Sequence, residues 1–202
     1  MDENFKFFAL AYLNDWWQYD RRFVSGLSPS NDRDSRALIL TEAATYYNVI
    51  RRFPEGSMPQ VLDLVDATFG MMGPITKQNV DLIVTALAVL FDKVFDRGVE
   101  ISAASKFLWI RNQIPVVIFD RRAKKSLKRL GAKRNGKYVK YRAEWLKQFD
   151  QREQDIQTAC AALAQVMNFA PTDETVANLT STVNSRWFHE RVFDKFLWWN
   201  GI

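Results

Sequence analysis

The sequence predicts an all-α chain, a compact multi-helix domain with at most a trace of strand. Three observations carry this. Apolar residues recur at steps of three and four in most windows, only one β-branched run occurs, and no partner strand for that run is found. The 202 residues are near the upper end of one domain and short for two, and no linker stands out, so 1–202 reads as a single helical domain. Hydrophobic residues at 48% and charged residues at 25% are ordinary for a folded protein. With only 8 Gly and 6 Pro, collagen-like and low-complexity readings are excluded.

Each element follows in order. Over 4–24, Phe5, Phe8, Ala9, Tyr12, Trp16, Tyr19 and Phe23 form one stripe, with Phe7, Leu10 and Trp17 off it. A helix apolar on more than one side belongs deep in a core. Gly26 to Pro29 breaks it. A second helix is expected over 32–53, anchored by Leu38, Leu40, Ala44, Tyr47 and Ile50 and stopped before Pro54. A third covers 58–69. A fourth covers 76–97, with Ile83, Ala86, Leu87, Leu90, Phe91, Val94 and Phe95 as its buried face and Gly98 as its stop. A fifth covers 102–112. The run 114–119 reads as a buried extended connector ending at Asp120, which has the place and chemistry of an N-cap for a helix over 121–130 closed by Gly131. A long helix is expected over 138–168, with Trp145, Phe149, Ile156, Cys160, Leu163 and Met167 as its stripe. A Thr/Asn-rich loop and a last helix over 184–199 follow.

Composition limits the chemistry. One Cys forms neither an internal disulfide nor a Cys-based zinc site, and one His removes His-rich metal sites, so no metal or cofactor is expected. Cys160 lies on the apolar stripe of its helix and reads as a core filler. No window approaches 18 uncharged apolar residues, so no transmembrane helix and no membrane partner are expected. The opening Met1-Asp2-Glu3 is acidic where a signal peptide is basic, so the expectation is a cytoplasmic protein.

Charge is unevenly spread. The net charge is +5, but Arg121, Arg122, Lys124, Lys125, Lys128, Arg129, Lys133, Arg134, Lys137, Lys140 and Arg142 fall in one window with no Asp or Glu. The rest of the chain keeps 17 basic and 23 acidic residues, a balance of −6. An acidic body with one dense cationic segment is the pattern of a nucleic-acid footprint; the other reading is a solvated basic face. Trp187, Phe188, Phe193, Phe196, Trp198 and Trp199 crowd the last helix. At helical spacing they read as core or as a protein interface, docked against the first helix, while aromatic rings beside a basic segment also stack bases.

Between Glu100 and Arg111, Lys106 is the only ionisable group, with Ser102, Ala103, Trp109 and Ile110 one turn away. Such an amine is partly desolvated, which lowers its pKa and favours a neutral nucleophile. Asp120 at a helix start is held by backbone N–H groups. The alternatives are a snorkelling lysine and a plain N-cap.

The stretch from Ser102 to Gly131 resembles a segment of the helix-hairpin-helix DNA glycosylases. The matching residues are Lys106 on a helix, Pro115-Val116 opening an apolar connector, Asp120 at its end, then Arg122 and Arg129-Leu130-Gly131. The resemblance covers about 30 residues. It implies an all-α, two-lobed fold with DNA in a cleft, Lys106 forming a Schiff base with the sugar, and Asp120 assisting loss of the base. The family's hairpin Gly-x-Gly is absent, its place reading Gly98-Val99-Glu100-Ile101-Ser102. The separation of 14 residues from Lys106 to Asp120 is shorter than the family's by about one helical turn.

The expectation is therefore a nucleic-acid-directed protein, DNA before RNA, of glycosylase/AP lyase type. Lys106 and Asp120 are its candidate catalytic residues. Arg121, Arg122, Lys124, Lys125, Lys128, Arg129, Lys133 and Arg134 are its candidate nucleic-acid contacts. A non-catalytic binding or assembly module and an all-α ribonuclease-like toxin are the alternatives. Arg186 and His189 are too close in sequence for the Arg-to-His pattern of HEPN-type ribonucleases, and His189 reads as a packed or surface imidazole.

Overall fold

A computed structural model describes residues 3–132 and 137–202. Among these residues there are helices and no strand. The helices are α1 (Phe5–Asp15), α2 (Arg21–Gly26), α3 (Arg33–Tyr46), α4 (Met58–Met72), α5 (Val80–Phe95) and α6 (Ile101–Arg111). They continue with α7 (Arg121–Arg129), α8 (Tyr138–Asp150), α9 (Glu153–Ala161), α10 (Val176–Val183) and α11 (Arg186–Asn200). The chain groups into two units, one of Met1–Gln18 with Asp120–Ile202 and one of Tyr19–Phe119.

In the first unit, α11 packs on α1, α7 and α9. Its core is aromatic: the Phe196 ring lies 5.2 Å from Phe5 and 5.6 Å from Phe8, and Phe193 meets Trp145 edge-on at 5.0 Å. Such pairs add about 0.5–1.5 kcal/mol beyond their burial. The docking of the last helix on the first is therefore present. Cys160 is fully buried, and burial pushes its thiol up to about 12, so it is an inert core filler.

In the second unit, α5 packs against α4 and α6, and α3 against α4 and α2. Val80, Ile83, Val84, Leu87, Ala88 and Phe91 are buried on α5, while Val94 is exposed. Leu38, expected as a core anchor, is also exposed.

Several boundaries differ from expectation for local reasons. A π-helical turn, Trp16–Asp20, interrupts the first helix. The second helix ends at Tyr46 because Asn48 turns left-handed (φ 56°), and the Val49 N–H then donates to the Ala44 carbonyl. Asp96 does the same at the end of α5 (φ 50°). α5 starts at Val80 because Thr76 and Asn79 close a turn first, the Thr76 N–H donating to Asn79 Oδ1 at 2.7 Å. The expected helix 138–168 is three pieces. It breaks at Gln151–Arg152, where the Arg152 guanidinium bonds Gln148 and Glu3, and its end is a 3-10 helix, Ala162–Phe169. The side chain of Met167 lies outside the described residues. The expected Thr/Asn-rich loop contains α10, capped by Thr175 Oγ1 accepting from the Asn178 N–H.

Candidate nucleic-acid interface

The connector ahead of α7 is extended and buried at Val116, Val117 and Ile118. Asp120 then caps α7: its Oδ1 accepts from the Arg122 N–H at 2.7 Å and from the Ala123 N–H at 3.4 Å. This satisfies two of the donors a helix start leaves unpaired. Gly131 ends the helix at φ +90°, a conformation that costs glycine little, and lets the Ala132 N–H reach back to the Leu127 carbonyl.

Ala123, Ser126 and Leu127 are the buried face of α7; Arg121, Lys125, Lys128 and Arg129 are exposed, and Arg122 and Lys124 half-buried. Lys137 and Lys140, around the start of α8, are exposed as well. Lys133 and Arg134 lie outside the described residues.

The buried face of α7 meets the end of α11 at close range. A Cβ on Gly201 would lie 2.1 Å from the Arg122 carbonyl oxygen, so only glycine permits this approach. Three of the cations serve the same junction. Arg122 lies 4.3 Å over the Trp198 ring, Lys125 Nζ donates to the Ile202 carbonyl at 3.1 Å, and Arg129 donates to the Asn200 carbonyl. Cations at a helix C-terminus complement its dipole and its unpaired carbonyls. Part of the basic segment is thus structural, a role that charge counting alone did not reveal.

Lys106 belongs to the second unit and Asp120 to the first. Lys106 sits in α6 among buried Ala103, Phe107, Trp109 and Ile110, and is itself only 5% exposed. Its Nζ donates to Ser102 Oγ at 2.7 Å, one turn back. Glu100, at the start of α6, pairs with Arg52 at 3.5 Å; burial pushes its carboxyl up, opposed by the charges of Arg52 and Lys106. Neighbouring Ser105 is fully buried and its Oγ accepts from the Phe119 N–H at 2.9 Å, tying the connector to α6.

Other charged groups are buried or half-buried and carry no sequence motif. In the second unit Arg36 and Arg111 converge on Asp66 at 2.6 and 3.6 Å. In the first, Asp194 accepts from Trp145 Nε1 at 2.9 Å and pairs with Arg191 at 3.0 Å; burial prevails over both and raises its carboxyl to about 6. Burial, with the charge of Asp194, raises Glu190 to about 7, although Arg186, which also reaches Glu153 and Asp150, bonds it at 3.0 Å. Burial, then Asp194 and Asp120, push the Tyr141 hydroxyl well above its ordinary value. The signal for these sites was an acidic residue repeating on the apolar face of the last helix, and the surrounding aromatic residues hid it.

His189 is buried, its Nε2 donates to the Val183 carbonyl at 2.8 Å, and burial lowers its pKa, which makes it a packed imidazole. Among the described residues no group of three His, Cys, Asp or Glu could hold a metal ion, and no helix is long and apolar enough to cross a membrane. No family model, curated protein or solved structure matches the chain.

Proposed function

We propose that this is a nucleic-acid-directed protein of the DNA glycosylase/AP lyase type, with Lys106 as its reactive amine. The observation that carries the reading is the burial of Lys106, 5% exposed in an apolar helix, with its Nζ donating to Ser102 Oγ and the Glu100 carboxylate near enough to feel its charge. A lysine is rarely sequestered this way without a task, and burial disfavours the charged form of an amine. On an abasic site, the amine adds to the C1′ aldehyde of the opened sugar, and loss of water leaves a Schiff base. The exposed cations of α7 are the phosphate contacts of this reading, and the part of Asp120 in base departure is what the glycosylase resemblance implies. Borohydride trapping of the full chain on abasic DNA tests this. A covalent adduct that Lys106→Gln removes, with DNA binding retained, supports the reading; an adduct that survives Lys106→Gln refutes it.

A second reading is favoured by the exposure of Arg121, Lys125, Lys128 and Arg129 along α7. It is a binding module that grips phosphates through α7 and turns nothing over. Binding that falls steeply with salt, without any trapping, supports it.

A further inference from the structure

The aromatic residues of α11 divide into two sets. Phe188, Phe193 and Phe196 are fully buried, while Trp198 and Trp199 are 39% and 50% exposed. Lys195, Trp198 and Trp199 stand at i, i+3 and i+4, so the two indoles share one side of the helix with a cation. From α1, Phe7 meets Trp199 edge-on at 5.6 Å, and Phe7 and Leu10, one turn apart, are both about half exposed. A solvent-facing helix surface is ordinarily polar, and grouped rings on it mark a contact site.

Two cations border the Trp198 ring, of which Lys195 is paired with Asp15 of α1, so the unneutralised charge there is that of Arg122. Arg122 covers Trp198 at 4.3 Å, and Lys195 Nζ is 5.9 Å from the same ring. Arg129, at the end of α11, donates to a neutral carbonyl. Among the described residues neither Arg122 nor Arg129 is paired with a carboxylate, so both charges still face a polyanion. Exposed indoles bordered by a cationic helix with no acidic residue are complementary to a chain of phosphates carrying flat bases. A duplex buries those base faces in its own stack; a single strand offers them.

We propose that Trp199 and Trp198, with Phe7 and the guanidinium of Arg122, form a stacking platform for unpaired bases, so that α7 and α11 together bind single-stranded nucleic acid. The inference rests on the nucleic-acid reading above and adds the state of the strand. α7 holds the phosphates, and one base lies on the open face of Trp199. Another lies on the Arg122 guanidinium, which itself stacks on Trp198, as guanidinium planes stack on bases elsewhere.

The test compares the full chain with Trp199→Ala, Trp199→Leu and Trp199→Phe. The probes are an oligodeoxythymidylate of about ten nucleotides, an abasic oligomer of equal length, a duplex, and phosphatidylcholine vesicles containing phosphatidylglycerol. Thermal melting confirms that each variant is folded. The Trp199→Phe variant keeps an aromatic face, so it reports even if the smaller side chains loosen α1 from α11. The expected result is that Ala and Leu weaken oligodeoxythymidylate binding by about tenfold, while Phe stays within about threefold of the parent. All four proteins should bind the abasic oligomer alike. Equal binding of oligodeoxythymidylate by the parent and both Ala and Leu variants overturns the platform, as does an equal loss on the abasic oligomer. Vesicle binding that Leu preserves, with no oligodeoxythymidylate binding, overturns it in favour of a membrane surface. If duplex binding and Lys106 trapping persist while the Trp199 variants are silent, only this inference fails. If no nucleic acid binds, both fail.

Discussion

α6 and α7 both carry cations, and they use them in opposite ways. α6 has one interior amine, Lys106, buried among aromatic and small side chains and bonded to its own Ser102. α7 has six basic residues in nine positions, set on its outer and flanking sides, with three of them tied to the end of α11. A cation held in water attracts phosphates at long range and is screened by salt. A cation kept from water costs several kcal/mol to hold charged and is disposed to react as a base or nucleophile. The proposed function divides the same way: it assigns nucleic-acid binding to α7 and the reaction to Lys106.

The strongest way to break that separation is Lys106→Gln. It should remove covalent trapping completely while changing DNA affinity less than about twofold. Equal loss of both, in a folded variant, would place Lys106 in binding. The next effect falls on α7. Arg121 and Lys128 are exposed two helical turns apart, whereas Lys125 and Arg129 bond the end of α11. Changing both to Glu should weaken binding across all sequences by about a hundredfold and lower the log–log salt slope by about 2. Trapping under saturating DNA should persist. Unchanged binding would make α7 a solubility face.

Carboxylates divide in the same way between interior and surface. Glu190 ordinarily titrates near 4.5 and is raised to about 7 by burial, so the folded state holds its proton more tightly than the unfolded state. Its contribution to stability is full below about 4.5 and is lost as pH rises through about 7. Asp194, raised from 3.8 to about 6, acts in the same sense. Denaturant unfolding should show stability falling over that window, and Glu190→Gln should remove on the order of 1–3 kcal/mol of the fall. An unchanged pH slope would show that Arg186 holds Glu190 ionised. Asp120→Asn should have the smallest effect on folding, about 0.5 kcal/mol or less by thermal melting, because Asn also caps helices. It should still slow base release. A loss of several kcal/mol would make Asp120 structural.

The same comparison explains what could be read from sequence. Helical periodicity gave the all-α class, the connector ending at Asp120 and the cap on α7, because steps of three and four and an Asp before a helix depend on local geometry. The burial of Lys106 was legible from its apolar neighbours within one turn. The breaks at Asn48 and Gln151–Arg152 were not, since no Gly or Pro marks them and side-chain bonds made at a distance in sequence, such as Arg152 to Glu3, decide the second. Nor was the division of the aromatic residues on α11. Trp198 and Phe196 have similar hydrophobicity, and only the packing of α1 and α7 on that helix determines which is covered. The acids Glu190 and Asp194 were hidden for the same reason.

The most direct test of the central claim is where a trapped sugar is attached. The full chain would be incubated with abasic DNA and borohydride, digested, and the adduct located by mass spectrometry. One modified residue is expected, Lys106. Modification of Lys124, Lys125 or Lys128 instead, or no adduct under conditions where DNA is bound, would contradict it.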